Sequence, residues 1–299
     1  MVLHDVPLSG YTRFGLGGPA KVLADVATPE ELAAILATPG PHMLIGGGSN
    51  LVVSDEGYPG TIIRYLDEQL TVEGDRIRVG AGVDLQKLVD RSNHEGFEGL
   101  HTMTGIPGWV GGAIYGNAGA YGHSIQEFVE TVRFWDGTEV REFTNAECEF
   151  RYRESIFKKR KDWVVLNATL RLPRSADPAR MRAESDRILQ IRNEKFPPTL
   201  KCAGSIFKNL LLAELPPEVQ MQVPKEVVRE GKVASAYFLE QVGAKGMFSG
   251  GIRVADYHAN LLYNTGEGTA AQVRHLIELL KSLVLEHFGI HLEEEVQYA

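Results

Sequence analysis

The 299-residue chain carries 31 basic and 39 acidic side chains, a formal net charge of −8, with 43% hydrophobic and 23% charged residues. Such a length suggests two or more domains, and the composition is that of a protein folded throughout, which excludes a disordered or fibrous class. The acidic balance disfavours sequence-independent binding to nucleic acid, where Lys and Arg must displace condensed counterions, and no run of about 18 apolar residues offers a membrane span.

Residues 1–10, MVLHDVPLSG, lack the basic start and apolar core of a leader, so a cytoplasmic location is expected. In DVATPEELAAILATPG, Thr28 is the expected N-cap, Pro29 the first helical residue and Glu31 the closing member of a capping box, for a helix over 29–37. Residues 41–55, PHMLIGGGSNLVVSD, set three consecutive glycines between two apolar runs. They form either a loose surface turn or a phosphate cradle, in which bare backbone turns its N–H groups toward an anion. GTIIRY is the next strand, LTVEGDRIRVGAG a hairpin about Glu73-Gly74-Asp75, and Asp84 caps a helix reaching about Glu95.

Residues 105–122, GIPGWVGGAIYGNAGAYG, hold seven glycines and three alanines. A solvated linker would not need Trp109, Ile114, Tyr115 and Tyr121, so the stretch reads as a segment pressed against a ligand. FVETVRFWDGTEVREF is a second hairpin, with Asp136-Gly137 expected as the positive-φ pair of a two-residue turn. Thr144 and Glu147 form a capping-box pattern, and WVVLNATLRL a strand. Asp177 and Pro178 begin a long helix that stops before the FPP of 196–198, an expected domain boundary. Beyond it come a helix near VASAYFLEQVG, a strand HANLLYN, and an amphipathic helix. The stripe of that helix is Val273, Leu276, Ile277, Leu280, Leu283, Val284 and His287, with Gly289 past its end.

Cys148 and Cys202 are too few for a disulfide scaffold or a four-thiolate zinc site, and the nine histidines contain no H-E-x-x-H pair, so no metal is expected. The only Gly-Lys step, Gly231-Lys232, continues with Val233 and makes no P-loop. FGLGGPA fits G-x-G-x-x-A, yet GYTRF precedes it instead of an apolar strand, and KVLADVA after it reads as a strand instead of a helix. What remains is an extended anionic ligand held by several glycine turns.

TRFGLGGPA, LIGGGSNLVVSD, GIPGWVGGAIYGNAGAYG, FRYRESIFK, AGSIFKN and FGIHLEEEV, in that order and across nearly the whole chain, resemble the UDP-N-acetylenolpyruvoylglucosamine reductase family. The resemblance implies an α+β protein: an FAD-binding fold of the vanillyl-alcohol-oxidase (PCMH) type in two α/β subdomains, 1–65 and 66–198, plus a C-terminal α+β substrate domain, 199–299. It implies NADPH-dependent reduction of UDP-N-acetylglucosamine enolpyruvate to UDP-N-acetylmuramate through FAD, in peptidoglycan precursor synthesis. Hydride then passes from the flavin to the enolpyruvyl methylene carbon, and a proton to its neighbour.

On the same resemblance, Gly46, Gly47, Gly48, Ser49 and Asn50 hold the FAD pyrophosphate by backbone N–H groups. Gly105, Ile106, Pro107 and Gly108, then Gly111, Gly112 and Ala113, then Asn117, Ala118, Gly119 and Tyr121, pass along the isoalloxazine and the rest of the cofactor. Pro107 is the expected start of a short helix whose N-terminus favours the anion. Arg153 of FRYRESIFK would bind the substrate carboxylate and steady the enolate, a role suited to a permanently charged planar fork. Ser205 of AGSIFKN would donate the proton, and Glu295 of LEEEV would assist, with Glu293 the second choice. Tyr152, Lys208, Asn209, His258 and Asn260 are the candidates for the nucleotide sugar.

Without the resemblance, the basic run 151–161 would be a solvated face, Ser205 a helix N-cap and LEEEV an acidic strand edge. Residues 210–227, LLLAELPPEVQMQVPKEV, depart from the family's pattern and leave their course unspecified. The 52 positions from Arg153 to Ser205 are too short for a tyrosine-bearing closing loop, so the chain resembles the family's shorter type. The competing readings are an FAD-dependent oxidase of a small alcohol or hydroxy acid on the same fold, and a flavin or UDP-sugar binder without catalysis.

Overall fold

The structure, a computed structural model, describes residues 1–174 and 177–299. They group into two units: Met1–Val6, Ala20–Gly47 and Pro59–Glu194 form the first, and Pro7–Pro19, Gly48–Tyr58 and Lys195–Ala299 the second.

Two sheets build the first unit. Strands Val2–Pro7, Pro19–Val26, Tyr58–Tyr65 and His42–Leu44 are hydrogen-bonded in that order, the last two running parallel with His42 opposite Thr61. Strand Tyr58–Tyr65 is buried along most of its length, as its apolar run requires. Its one charge, Arg64, meets Asp25 through two bonds of 2.6 and 2.7 Å. The second sheet orders Val140–Thr144, Val129–Trp135, Val164–Arg171, Arg76–Gly80 and Leu70–Glu73, all antiparallel. Alternate residues of these strands, among them Ile77, Val79, Val132 and Phe134, enter one core with helix residues Leu88, Val89 and Ile114. Phe134 stacks on Trp163 at 4.6 Å and meets Phe157 and Phe143 edge-on. Cys148 lies in this core, and burial pushes its thiol up to about 12. Cys202 is buried as well, so neither cysteine should react with an aromatic disulfide reagent at neutral pH until the chain is unfolded. Release of chromophore from the native protein would contradict this.

The hairpin at Asp136 departs from the expected two-residue turn. Trp135 pairs with Val140, leaving a four-residue loop in which only Gly137 has positive φ, at 100°. Asp136 accepts from the N–H groups of Thr138 and Glu139 at 2.8 and 2.9 Å and from the Thr138 hydroxyl. The carboxylate therefore closes the turn that a left-handed residue would otherwise have closed. Those bonds, the Glu139 N–H foremost, hold the Asp136 carboxyl down at about 2. The expected capping box at Thr144 is half-formed, because Glu147 takes both the N–H and the hydroxyl of Thr144 while Asn145 stands at the N-cap.

The long helix runs Pro178–Lys195, and Asp177 Oδ1 accepts from Ala179 and Arg180 N–H at 3.0 Å each. Met181, Ser185 and Ile188 are its buried residues, so its surface is largely polar.

In the second unit, strands Lys201–Ser205, His258–Asn264, Ile252–Ala255 and Phe248–Ser249 form an antiparallel sheet. Helix Ala270–Phe288 shares its core through Val273, Leu276, Ile277, Leu280 and Val284. Thr269 and Gln272 make a full capping box, Gly289 ends the helix at φ 67°, and Asp55 accepts from Ala270 and Ala271 N–H. The aspartate that ends the GGGSNLVVSD motif is thus a helix cap supplied from a distant stretch of chain. Residues 210–227 enter a small sheet of Leu210–Leu211, Lys232–Val233 and Val228–Arg229, with helix Pro217–Gln222 between, and bury Leu215, Val219 and Val223. Strands of two residues carry no periodicity from which a sequence could foretell them. In FGLGGPA, a side chain on Gly18 would meet the Asp55 carbonyl at 2.2 Å, so close backbone packing accounts for that glycine.

Candidate active site

Among the described residues, no acceptor meets the backbone N–H groups of Gly46, Gly47, Gly48, Ser49 or Asn50. Of these five residues only Gly48 is buried, so the run presents donors that water or a ligand can meet. Their local settings differ. A Cβ on Gly48, at φ 60°, would meet the Tyr11 carbonyl at 2.0 Å, and one on Gly47 would touch Gly108 Cα and the Trp109 ring at 3.2–3.3 Å. A Cβ on Gly46 would meet no other part of the chain within 4 Å, and its φ is not in the left-handed region. Packing within the protein therefore does not itself require glycine at position 46. Asn50 donates to the Glu295 carbonyl at 2.9 Å, and its buried Oδ1 has no partner among the described residues.

The second glycine segment is tied down by its backbone. Gly105 N–H donates to Gln86 Oε1 at 2.7 Å, and the Gly108 carbonyl accepts from Leu85 at 2.9 Å. Ile106 packs partly buried against the core. Pro107 does not open the short helix, correcting the expectation: the helix is Val110–Tyr115 with Trp109 as N-cap. Its first N–H groups, of Val110 and Gly111, donate to Val83 and Ala81, so they are not available to an anion. Gly112 faces open space, while a Cβ on Gly111 would meet Ala81 Cβ at 2.9 Å. Ala113 and Ala118 are joined by a 2.8 Å backbone bond, Gly119 packs on the His123 carbonyl, and Tyr121 is half-exposed at φ 54°. Asn117 is a second correction. It is buried, and its amide bonds Gln126 Oε1 and the Arg151 carbonyl at 3.0 and 2.8 Å, so it braces the chain and does not reach a cofactor.

That brace supports the turn bearing Arg153. Arg151 and Glu154 bridge each other, Lys158 Nζ donates to the Arg153 carbonyl at 2.9 Å, and Ser155 Oγ to that of Tyr115 at 2.7 Å. Arg153 is held at φ 57°, a left-handed conformation costly for a side-chain-bearing residue. Its guanidinium lies 5.4 Å from the Tyr152 ring and donates to the Gly119 carbonyl at 3.0 Å. Lys159 and Arg160 are exposed in ion pairs with Glu149 and Asp162, as a solvated face would be. Arg153 stands apart from them.

In the second unit, Ser205 ends strand Lys201–Ser205, so it is not a helix N-cap. It is partly exposed, and its hydroxyl has no hydrogen-bond partner among the described residues. Residues 293–295 run beside 206–208: Lys208 N–H donates to the Glu293 carbonyl and Glu295 N–H to that of Ile206, at 2.9 and 2.7 Å. Glu295 is therefore brought beside the Ser205 segment. Glu294 pairs with Lys281 and accepts the Tyr298 hydroxyl, while Glu293 pairs with the buried Lys208. Asn209 is exposed. His258 lies half-buried with its ring 5.7 Å from Phe196, and burial first, then Lys195, depresses its pKa. Asn260 is a third correction. It is 3% exposed, and its amide bonds both backbone groups of Phe207, so it does not offer itself to a nucleotide sugar.

Residues 196–299 match the family model described as UDP-N-acetylenolpyruvoylglucosamine reductase, C-terminal domain, and residues 20–141 that of an FAD binding domain. A UDP-N-acetylenolpyruvoylglucosamine reductase of Solibacter usitatus is 57% identical over 99% of this chain and 96% of its own. The chain belongs to the UDP-N-acetylenolpyruvoylglucosamine reductase family. A reductase of Bacillus velezensis is 35% identical over 99% of the chain and 93% of its own. The solved reductase of Thermus caldophilus matches with a TM-score of 0.78 at 30% identity, over 98% of this chain and 97% of that one. The α+β architecture is that of an FAD binding domain followed by the family's C-terminal domain, and the protein is an FAD-dependent oxidoreductase of peptidoglycan precursor synthesis. The unpaired N–H run and the empty flank of Gly46 fit a family whose cofactor carries a pyrophosphate. Among the described residues no cluster of His, Cys, Asp or Glu could hold a metal ion, and no helix is long and apolar enough to cross a membrane.

Proposed function

We propose that the chain reduces UDP-N-acetylglucosamine enolpyruvate to UDP-N-acetylmuramate in the cytoplasm, with NADPH as co-substrate and Arg153, Ser205 and Glu295 as the residues that act on the substrate. The observation carrying this reading is the juxtaposition of the Ser205 and Glu295 segments by the 2.7 Å bond from Glu295 N–H to the Ile206 carbonyl. When bound, FAD would supply the hydride chemistry that links NADPH to the enolpyruvyl group. The residues supply the rest. The Arg153 guanidinium binds the substrate carboxylate, onto which negative charge spreads as the double bond is lost. Ser205 Oγ–H gives its proton to the neighbouring carbon, which becomes the new C–H bond. Glu295 helps orient that proton and restore it to Ser205. Tyr152, Lys208, Asn209 and His258 bind the nucleotide sugar, and Lys208 lowers the cost of a serine alkoxide by its charge.

Gly46 to Asn50 hold the pyrophosphate on the same reading, and Gly112 gives the flavin room. Segments 1–65 and 66–198 act as the two cofactor lobes and 199–299 as the substrate lobe; the three main sheets, which fall within 2–65, 70–171 and 201–264, support that division, although Pro7–Pro19 and Gly48–Tyr58 group with the C-terminal unit. The shorter-type assignment belongs to the same proposal.

The test is anaerobic. The flavoprotein is bleached with NADPH, UDP-N-acetylglucosamine enolpyruvate is added, and return of the oxidised spectrum is followed. Prompt return is expected. A spectrum that returns only with oxygen would replace the reductase reading by an oxidase.

A further inference from the structure

Strand Lys201–Ser205 does not lead smoothly into its active segment. Cys202 pairs with Tyr263 and Ser205 with Leu261, three steps on one strand against two on the other. The extra residue is taken up at Gly204, whose φ is 77°. Such a bulge turns the side chain that follows it. Past Ser205 the backbone bonds Asn260 once, Ile206 N–H donating to its carbonyl at 3.1 Å. From there the Asn260 side chain continues the attachment. Its Oδ1 accepts from Phe207 N–H at 2.9 Å, and its Nδ2 donates to the Phe207 carbonyl at 2.9 Å and to Ser235 Oγ at 2.8 Å. Ser235 Oγ in turn donates to the Phe207 carbonyl at 3.3 Å. Asn260 and Ser235 are both buried, so these bonds face no competition from water. On its other side the same short stretch is bonded to residues 293–295.

We propose that the Gly204 bulge and the Asn260–Ser235 clamp form a positioning device for Ser205, with Asn260 acting on the reaction through Ser205 and not through the substrate. A planar amide that bonds both the N–H and the C=O of one peptide neighbour fixes the rotation of that backbone as well as its place. Ser205, two residues earlier and one residue after the bulge, is then held between two fixed points. A proton donor misplaced by about 1 Å loses on the order of 10²-fold in rate, so such fixing has a measurable purpose. The inference rests on the assignment of Ser205 as proton donor.

The experiment uses the FAD-loaded protein and measures each half of the cycle separately, for Ser205→Ala, Asn260→Ala, and the double variant, with thermal melting of each. Asn260→Ala is expected to slow the substrate-dependent half about 10²-fold and to leave flavin reduction by NADPH near the parent rate. Once Ser205 is gone its position no longer matters, so the double variant should be no slower than Ser205→Ala alone. Additive slowing in the double variant, or equal slowing of both halves, would overturn the proposal and leave Asn260 a purely structural residue. A Ser205→Ala protein with an unimpaired substrate-dependent half would instead remove the proton-donor assignment, an outcome visible without the Asn260 data. If Asn260→Ala fails to fold, Ser235→Ala carries the same test, since it removes only the hydroxyl behind the amide. A smaller slowing confined to the substrate-dependent half supports the clamp, and an unchanged half-reaction with a lowered melting temperature overturns it.

Discussion

Ser205→Ala should retain flavin, melt like the parent and be reduced by NADPH at nearly the parent rate, yet turn over its substrate about 10²- to 10⁴-fold more slowly, the range for loss of a placed proton donor. The asymmetry follows from position. Ser205 lies in the second unit at the end of a strand, partly exposed, and its hydroxyl supports no other described group. Removing that hydroxyl creates no cavity and strands no buried partner, so stability has no reason to fall. Hydride transfer from NADPH does not need a proton at the enolpyruvyl carbon. Stopped-flow absorbance of the flavin reads the two halves separately, and comparable losses in both would show that Ser205 is not the donor.

Replacement of Gly48 by alanine should cost about 2–5 kcal/mol, the sum of overpacking and of a left-handed backbone carrying a side chain. The new methyl would sit 2.0 Å from the Tyr11 carbonyl, a backbone atom that cannot swing aside, at a residue whose φ is 60°. Arg13 N–H donates to the Gly48 carbonyl at 3.0 Å, so movement of the loop disturbs a second strand of chain as well. Flavin should be lost along with stability. Gly46→Ala is the contrasting case: its methyl meets no atom within 4 Å. That variant should melt like the parent when free of flavin, yet bind FAD at least about tenfold more weakly. Melting curves of the flavin-free proteins, with flavin titrations, decide the matter. Stoichiometric, tight FAD on Gly46→Ala would mean that the open flank does not face the cofactor.

Much of the fold could be read from local chemistry. Thr28, Asp84 and Asp177 cap the helices expected of them, and Gly289 ends the last helix, because a cap depends on a few adjacent residues and little else. The loop at Asp136 escaped because glycine after aspartate satisfies two turn types, and the choice is made by where the carboxylate finds donors. Residues 210–227 escaped because two-residue strands are defined by their partners. The glycine loop by itself reads equally as a surface turn or an anion cradle, and only the ordered set of motifs favours the second. Asn117 and Asn260 illustrate the opposite limit: each lies in a motif that touches the site, and only its buried hydrogen bonds reveal that it holds backbone in place. Asp55 is similar, a motif end whose carboxylate caps a helix that begins 215 residues later.

The stretch from Glu293 onward has a further consequence, for the order in which the molecule is made. It bonds residues 206–208 on one side and residues 50–54 on the other, the latter through Asn50 to Glu295, Gln297 to Asn50 and Ala299 to Val52. The contact from Asn50 to Glu295 spans 245 positions of chain. Closing so long a loop carries a large entropic cost before any bond is gained, and contacts of such separation form late in folding. A chain with both sheets of its first unit complete therefore still lacks Glu295 and the support beneath the glycine loop. In refolding from denaturant, far-ultraviolet ellipticity should recover ahead of flavin binding, with docking of this one segment as the step between them.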